Sequence, residues 1–139
     1  MTETCVPELV SVTSVYEAAF HEARRHQWIA SQQARRDLGE SAFLEWYRTW
    51  WVKFLRYRHV EHLMGERWWD EFEEGSFGAL RDQYDSNELT SEIVEMYRNG
   101  KDNLDIIVWA QACGRCMDQI FDCLEAVNMN AARLDPRML

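Results

Sequence analysis

EWYRTWWVKFLRYRHVEHLMGERWWDEF, residues 45–72, carries five of the chain's seven tryptophans. Whether these rings form a core or a contact surface decides how the fold is read. On a helical projection at about 100° per residue, Phe43, Trp46, Tyr47, Trp50, Phe54 and Tyr57 share one face, with Leu44, Trp51 and Leu55 beside it. Glu45, Arg48, Arg56 and His59 take the opposite side. The spacing predicts one long amphipathic helix over 41–64, stopped by Gly65. Its apolar arc spans about half the circumference, so the arc predicts burial against two neighbouring elements or a second subunit. In the ERWWDEF run that follows, Trp68 and Trp69 are adjacent and point apart in a helix, so one ring is expected to face outward.

Upstream, Ser14-Val15-Tyr16-Glu17 has the spacing of a capping box and opens a predicted helix over 15–37 that stops near Gly39. Its stripe of Tyr16, Ala19, Phe20, Ala23, Ala30 and Ala34 narrows to alanines, which admit a close neighbour. Residues 75–86 read as an irregular connection. A helix over 87–98 places Leu89, Ile93, Met96 and Tyr97 inward and stops at Asn99-Gly100. Asp102 caps the next helix, with Leu104, Ile107 and Val108 as its apolar positions. Gly114 separates it from a last helix over 115–127 carrying Cys116, Ile120, Cys123, Leu124 and Val127. The predicted fold class is all-α: a helical bundle of four to six helices led by a long antiparallel helical hairpin. It forms one domain over 1–139, with 1–13 as a leading segment.

The formal net charge of -9 is placed unevenly. Residues 1–65 hold eight basic and eight acidic side chains, whereas 66–139 hold seven and sixteen. The acidic half opposes phosphate backbones, which makes nucleic acid a poor expectation. Thirteen of the fifteen basic residues are arginine, the side chain that pairs bidentately with carboxylates. The amino terminus has no basic start followed by an apolar run, and the longest plain apolar stretch is IIVWA at 106–110. Neither a signal peptide nor a membrane span is expected, and a cytoplasmic location follows.

Three patterns invite chemistry. CGRC at 113–116 has CxxC spacing, but a thioredoxin-type site follows a strand and a zinc site needs four ligands. Cys113, Cys116 and Cys123 fall at helical spacing and read as reduced, metal-free core thiols. IIVWAQACGRCMDQIF fits a helix-turn-helix, yet Asp118, Asp122 and Glu125 on its second helix would meet phosphate. HEARRH at 21–26 misses the HExxH zinc spacing by one residue, and the paired Glu-x-x-His motifs of bundle metal sites are incomplete. No nucleophile elbow, phosphate loop or triad is present.

A polar cluster is expected where a hairpin reversing near Gly39 brings residues level whose numbers sum to about 79. That register sets Glu17 and His21 beside Arg58 and His62. Glu61 projects from the middle of the apolar face and needs a cation, with Arg58 the nearest.

His26, Trp28, Ser31, Asp37, Leu38 and Gly39, followed by Ala42 and Trp46, form an H-x-W-x-x-S-x5-D-L-G run. It resembles a helical segment of bacterial proteins of unknown function, with Gln32 where that segment carries glutamate after the serine. The resemblance covers about a sixth of the chain, implies helix and brings no activity. Together these features lead to the expectation of a non-enzymatic protein acting through protein-protein interaction, with a partner or a second copy, and needing no cofactor. Trp46, Trp50, Trp51, Trp68 and Trp69 are the expected contact rings. The alternatives are a helix-turn-helix regulator and a metal- or cofactor-binding bundle.

Overall fold

The computed structural model describes residues 12–137, and among them the chain is helical with no strand. In chain order the helices are α1 (Val15–Ala34), α2 (Gly39–Leu63), α3 (Arg81–Ser86), α4 (Glu88–Arg98), α5 (Asn103–Ala112) and α6 (Met117–Val127). One-turn 3-10 helices lie at Glu74–Ser76 and Met129–Ala132. No described helix is long and apolar enough to cross a membrane. The stretch expected to be irregular, 75–86, contains α3; its six residues are too few to show a period in the sequence.

The hairpin of α1 and α2 is shorter at its turn than the sequence suggested. Arg35 takes a left-handed conformation, φ 55°, and ends α1, with Arg36 N–H donating to Ser31 O at 3.2 Å. The chain then folds back along the helix, and Leu38 N–H donates to Ser31 Oγ at 3.0 Å. Asp37 Oδ1 accepts from the Gly39 amide at 2.9 Å. Ser31, Asp37, Leu38 and Gly39 of the H-x-W-x-x-S-x5-D-L-G run thus close this turn, and His26 Nε2 meets Glu45 Oε1 across the hairpin at 3.2 Å.

Because α2 starts level with Ser31, Tyr16 stacks on Trp51 with ring centroids 6.0 Å apart, and Phe20 meets Phe43 edge-on at 5.6 Å. Ala18, Ala19 and Ala23 are buried beneath those rings. Against the expected register, α2 is displaced by about three helical turns, and its second half projects beyond the start of α1.

That overhang is where the rest of the chain packs. The hairpin core of Tyr16, Phe43, Trp46, Tyr47, Trp51 and Leu55 is joined by Trp69, Phe72 and Ala132. A second cluster sets Val60, Leu63 and Met64 against Leu80, Val94, Tyr97 and Val127. A third holds Ile93, Ile106, Ala110, Ile120 and Leu124 between α4, α5 and α6. Much of the wide arc of α2 is therefore covered from two sides, by α1 and by the carboxyl-terminal elements, while Trp50 and Tyr57 stay exposed. Gly65, φ 70°, turns the chain out of α2. A Cβ on it would lie 3.2 Å from the Gly78 Cα, so the two backbones meet where neither residue has a side chain.

On α5 the buried positions are Ile106 and Ala110, whereas Leu104 and Val108 are 67% and 55% exposed. The expected phase was turned because NLDIIVWAQA is apolar on nearly every face and gives the projection nothing to choose between.

Candidate interaction surfaces

The tryptophans divide between core and surface. Trp46, Trp51 and Trp69 are buried and are not the contact rings expected of them. Trp46 and Trp51 pack in the hairpin core with α1, and Trp51 Nε1–H donates to Leu134 O at 2.8 Å. Trp69 is fully enclosed, its Nε1–H donating to Glu61 Oε1 at 3.1 Å and its ring carrying the Arg67 guanidinium at 4.3 Å. Trp68 turns the other way and lies half-buried on the rings of His62 and Phe77, with its Nε1–H on Asp70 Oδ1. Trp50 is 44% exposed. Trp28, absent from the expected set, is the most open at 65%.

The expected polar cluster forms only in part. Arg58 Nη1 pairs with Glu61 Oε1 at 2.8 Å. His62, fully buried, accepts the Trp69 amide on Nδ1 at 3.3 Å, so its Nε2–H donates to Glu73 O at 2.7 Å. The His62 carbonyl in turn accepts from the Gly78 amide at 2.8 Å. This histidine ties the 65–80 connection to the end of α2. Glu17 and His21 lie elsewhere: Glu17 is exposed on α1, and His21 lies edge-on to Phe20. The three-turn displacement of the hairpin separates them from Arg58 and His62.

The capping box at Ser14 is also replaced. Ser14 Oγ accepts from the Tyr16 amide at 3.2 Å, but the carboxylate at this helix start is Glu71, not Glu17. Glu71 accepts from Ser14 Oγ at 2.7 Å and from the Val15 amide at 2.8 Å. Asp70 adds a paired contact to Thr13. Two carboxylates on a helix amino terminus favour its dipole.

One buried pair escaped the sequence reading. His59 Nδ1 and Tyr97 Oη are 2.9 Å apart, both enclosed, with Phe72 against the imidazole. Burial, with His62 nearby, lowers the His59 pKa to about 4, and burial raises that of Tyr97. The i,i+4 array in the sequence had placed His59 on the outer face, before α4 covered it.

Cys113 and Cys116 are exposed, in correction of their expected burial, and Cys123 is half-buried. Gly114, φ 66°, breaks the stripe that would have buried them. Its amide and that of Arg115 close α5 onto Gln111 O and Ala110 O. Asp118, Asp122 and Glu125 are exposed along α6, which sets carboxylates where a recognition helix would meet phosphates. Among the described residues no group of three or more His, Cys, Asp and Glu converges as a metal site.

Two open surfaces among the described residues carry exposed tryptophan beside arginine. On α2, Trp50, half-buried Phe54 and Tyr57 form a ridge at i, i+4 and i+7. Arg58 lies over the rings of Phe54 and Tyr57 at 5.1 and 4.9 Å, and Arg98 over Tyr57 at 5.4 Å. On α1, a cleft of about 740 Å³ is lined by Arg24, Trp28, Ser31, Arg35, Arg36 and Asp37, among others. No family model, curated protein or solved structure matches the chain.

Proposed function

We propose that the chain is a non-enzymatic protein-protein interaction module whose α2 ridge receives a protein partner. The observation that carries this reading is the composition of the ridge. Trp50 and Tyr57 stand open to solvent beside Arg58 and Arg98, and tryptophan, tyrosine and arginine are the residues that dominate binding energy in interfaces. Phe54 and Tyr57 are held in place without a partner, since Phe54 is packed into the hairpin core and the two guanidinia over these rings are fixed by Glu61 and Glu95. Little ordering entropy then remains to be lost on binding.

The test is cross-linking of the tagged chain in cells of its native host, followed by mass spectrometry, with Trp50→Ala/Tyr57→Ala as the comparison. The expected result is a protein captured by the wild type and lost from the variant at unchanged helicity. Equal capture by both overturns the role of the ridge.

A further inference from the structure

The cleft on α1 and the outer face of α6 are opposite in charge. Arg24, Trp28, Ser31 and Arg35 recur along α1 at helical spacing, and Arg36 and Asp37 close the end of the cleft. Arg24 is already engaged, 2.7 Å from Gln27 Oε1, 3.5 Å from Glu40 Oε1 and 4.1 Å above the Phe43 ring. Arg35 and Arg36 are exposed and meet no carboxylate among the described residues. Trp28 lies open between these cations. On α6, Asp118, Phe121, Asp122 and Glu125 share the exposed face opposite buried Ile120, Leu124 and Val127. Phe121 is 50% exposed, and its three flanking carboxylates meet no cation among the described residues.

The wider charge distribution repeats this pattern. Residues 12–64 hold eight basic and six acidic side chains, whereas 65–137 hold seven and sixteen. An exposed ring framed by charge on each face has the apolar centre and polar rim of an interface. The α1 row from Arg24 to Arg35 is about 16 Å long and the α6 row from Asp118 to Glu125 about 10 Å, so the acidic row fits within the cationic one.

We propose that the chain self-associates head to tail, the arginine-lined cleft of α1 in one copy receiving the acidic Phe121 face of α6 in the next. This goes beyond the α2 ridge, which it leaves free. A phosphate polymer or an anionic lipid surface would find the same arginines but would also meet the acidic half, whereas a second copy presents the complementary charges itself. Because the two faces differ, the contact is heterologous: it closes into a ring or continues as a filament.

Two neutralising variants test this: Arg35→Ala/Arg36→Ala in the cleft and Asp118→Asn/Asp122→Asn on the face. Sedimentation velocity of the wild type at an ionic strength of about 0.1 M should show mass rising with concentration. Assembly should be lost at about 1 M, where the screening length falls from about 10 to about 3 Å. Each variant alone should be monomeric. Their equimolar mixture should stop at a 1:1 heterodimer, because each supplies the surface the other lacks. Trp28→Ala, at an exposed position, should weaken assembly about tenfold or more.

A wild type monomeric throughout, either double variant assembling like the wild type, or a mixture that stays monomeric overturns the proposal. Assembly lost through Trp50→Ala/Tyr57→Ala but untouched by the cleft and face variants also overturns it, while leaving the α2 ridge as the interaction surface.

Discussion

From Phe43 to Leu55, α2 buries rings against α1; from Arg58 to Leu63 the same helix buries two histidines and a carboxylate against a connection and α4. The first half is held by apolar area and edge-on ring contacts, which tolerate small displacements. The second is held by hydrogen bonds among enclosed and half-buried polar groups, where losing one partner leaves another unsatisfied. The aromatic half fixes how the hairpin closes. The polar half fixes where the 65–80 connection, and with it α3 and α4, attaches. Trp69 joins the two, since it packs into the aromatic cluster and donates to Glu61.

Removing that joint should have the largest effect. Trp69→Ala deletes a fully enclosed ring and leaves Glu61 with Arg58 alone, which should cost about 4 kcal/mol. Trp50→Ala, on the solvent side of the same helix, should cost less than about 1 kcal/mol. Urea midpoints of the two variants make the comparison. Similar losses would mean that the connection is not anchored through Trp69.

The next largest effect separates the halves by pH. His59 is neutral in the fold, with its pKa lowered to about 4, and titrates near 6.5 when the chain unfolds. Below pH 6.5 the unfolded chain therefore binds the extra proton first. The stability that His59 contributes is complete above pH 6.5 and is lost as pH falls through 4, about 3 kcal/mol in all. Denaturation midpoints between pH 7 and 4 should fall accordingly, and His59→Gln should flatten that slope. An unchanged slope in the variant would place the acid sensitivity on other groups. The aromatic half has no buried histidine to respond in this window.

How much of this was legible follows the same division. The helices, the alanine stripe on α1 and the rings on α2 are repeats at helical spacing, so the all-α hairpin could be read from the sequence. What could not be read is contact between residues far apart in the chain. Glu71 on Ser14, Glu73 on His62 and Tyr97 on His59 leave no local pattern. A turn folded back by one serine hydroxyl, Ser31, displaced the hairpin and split Glu17 and His21 from Arg58 and His62. Trp28 was visible in the sequence, but its exposure became visible only once the turn put it on the outer face.

The spatial cap can be set against the sequential one. Glu71→Ala removes the acceptor of the Val15 amide and of the Ser14 hydroxyl, and should cost about 1–2 kcal/mol. Glu17→Ala, on an exposed carboxylate with no such bond, should stay within about 0.5 kcal/mol. Chemical denaturation of both variants distinguishes the caps, and a larger loss from Glu17→Ala would restore the local capping box.

The smallest effect concerns the turn that set the register. Among the described residues, only Arg35 and Asn128 adopt positive φ without being glycine, at 55° and 52°. Asparagine tolerates this conformation because its short polar side chain bonds locally, whereas arginine has no such compensation. Arg35 is exposed and makes no ion pair among the described residues. Arg35→Gly therefore relieves a steric cost in the fold while adding conformational freedom to the unfolded chain, and these terms oppose each other. At a left-handed helix end the steric term is the larger, so the net gain should be about 0.5–1 kcal/mol. Asn128→Gly should gain less. Both are best measured at about 1 M salt, where charge contacts between copies are screened. If Arg35→Gly destabilises the chain, the backbone there is held by more than the Ser31 turn, and the displaced register of the hairpin needs another cause.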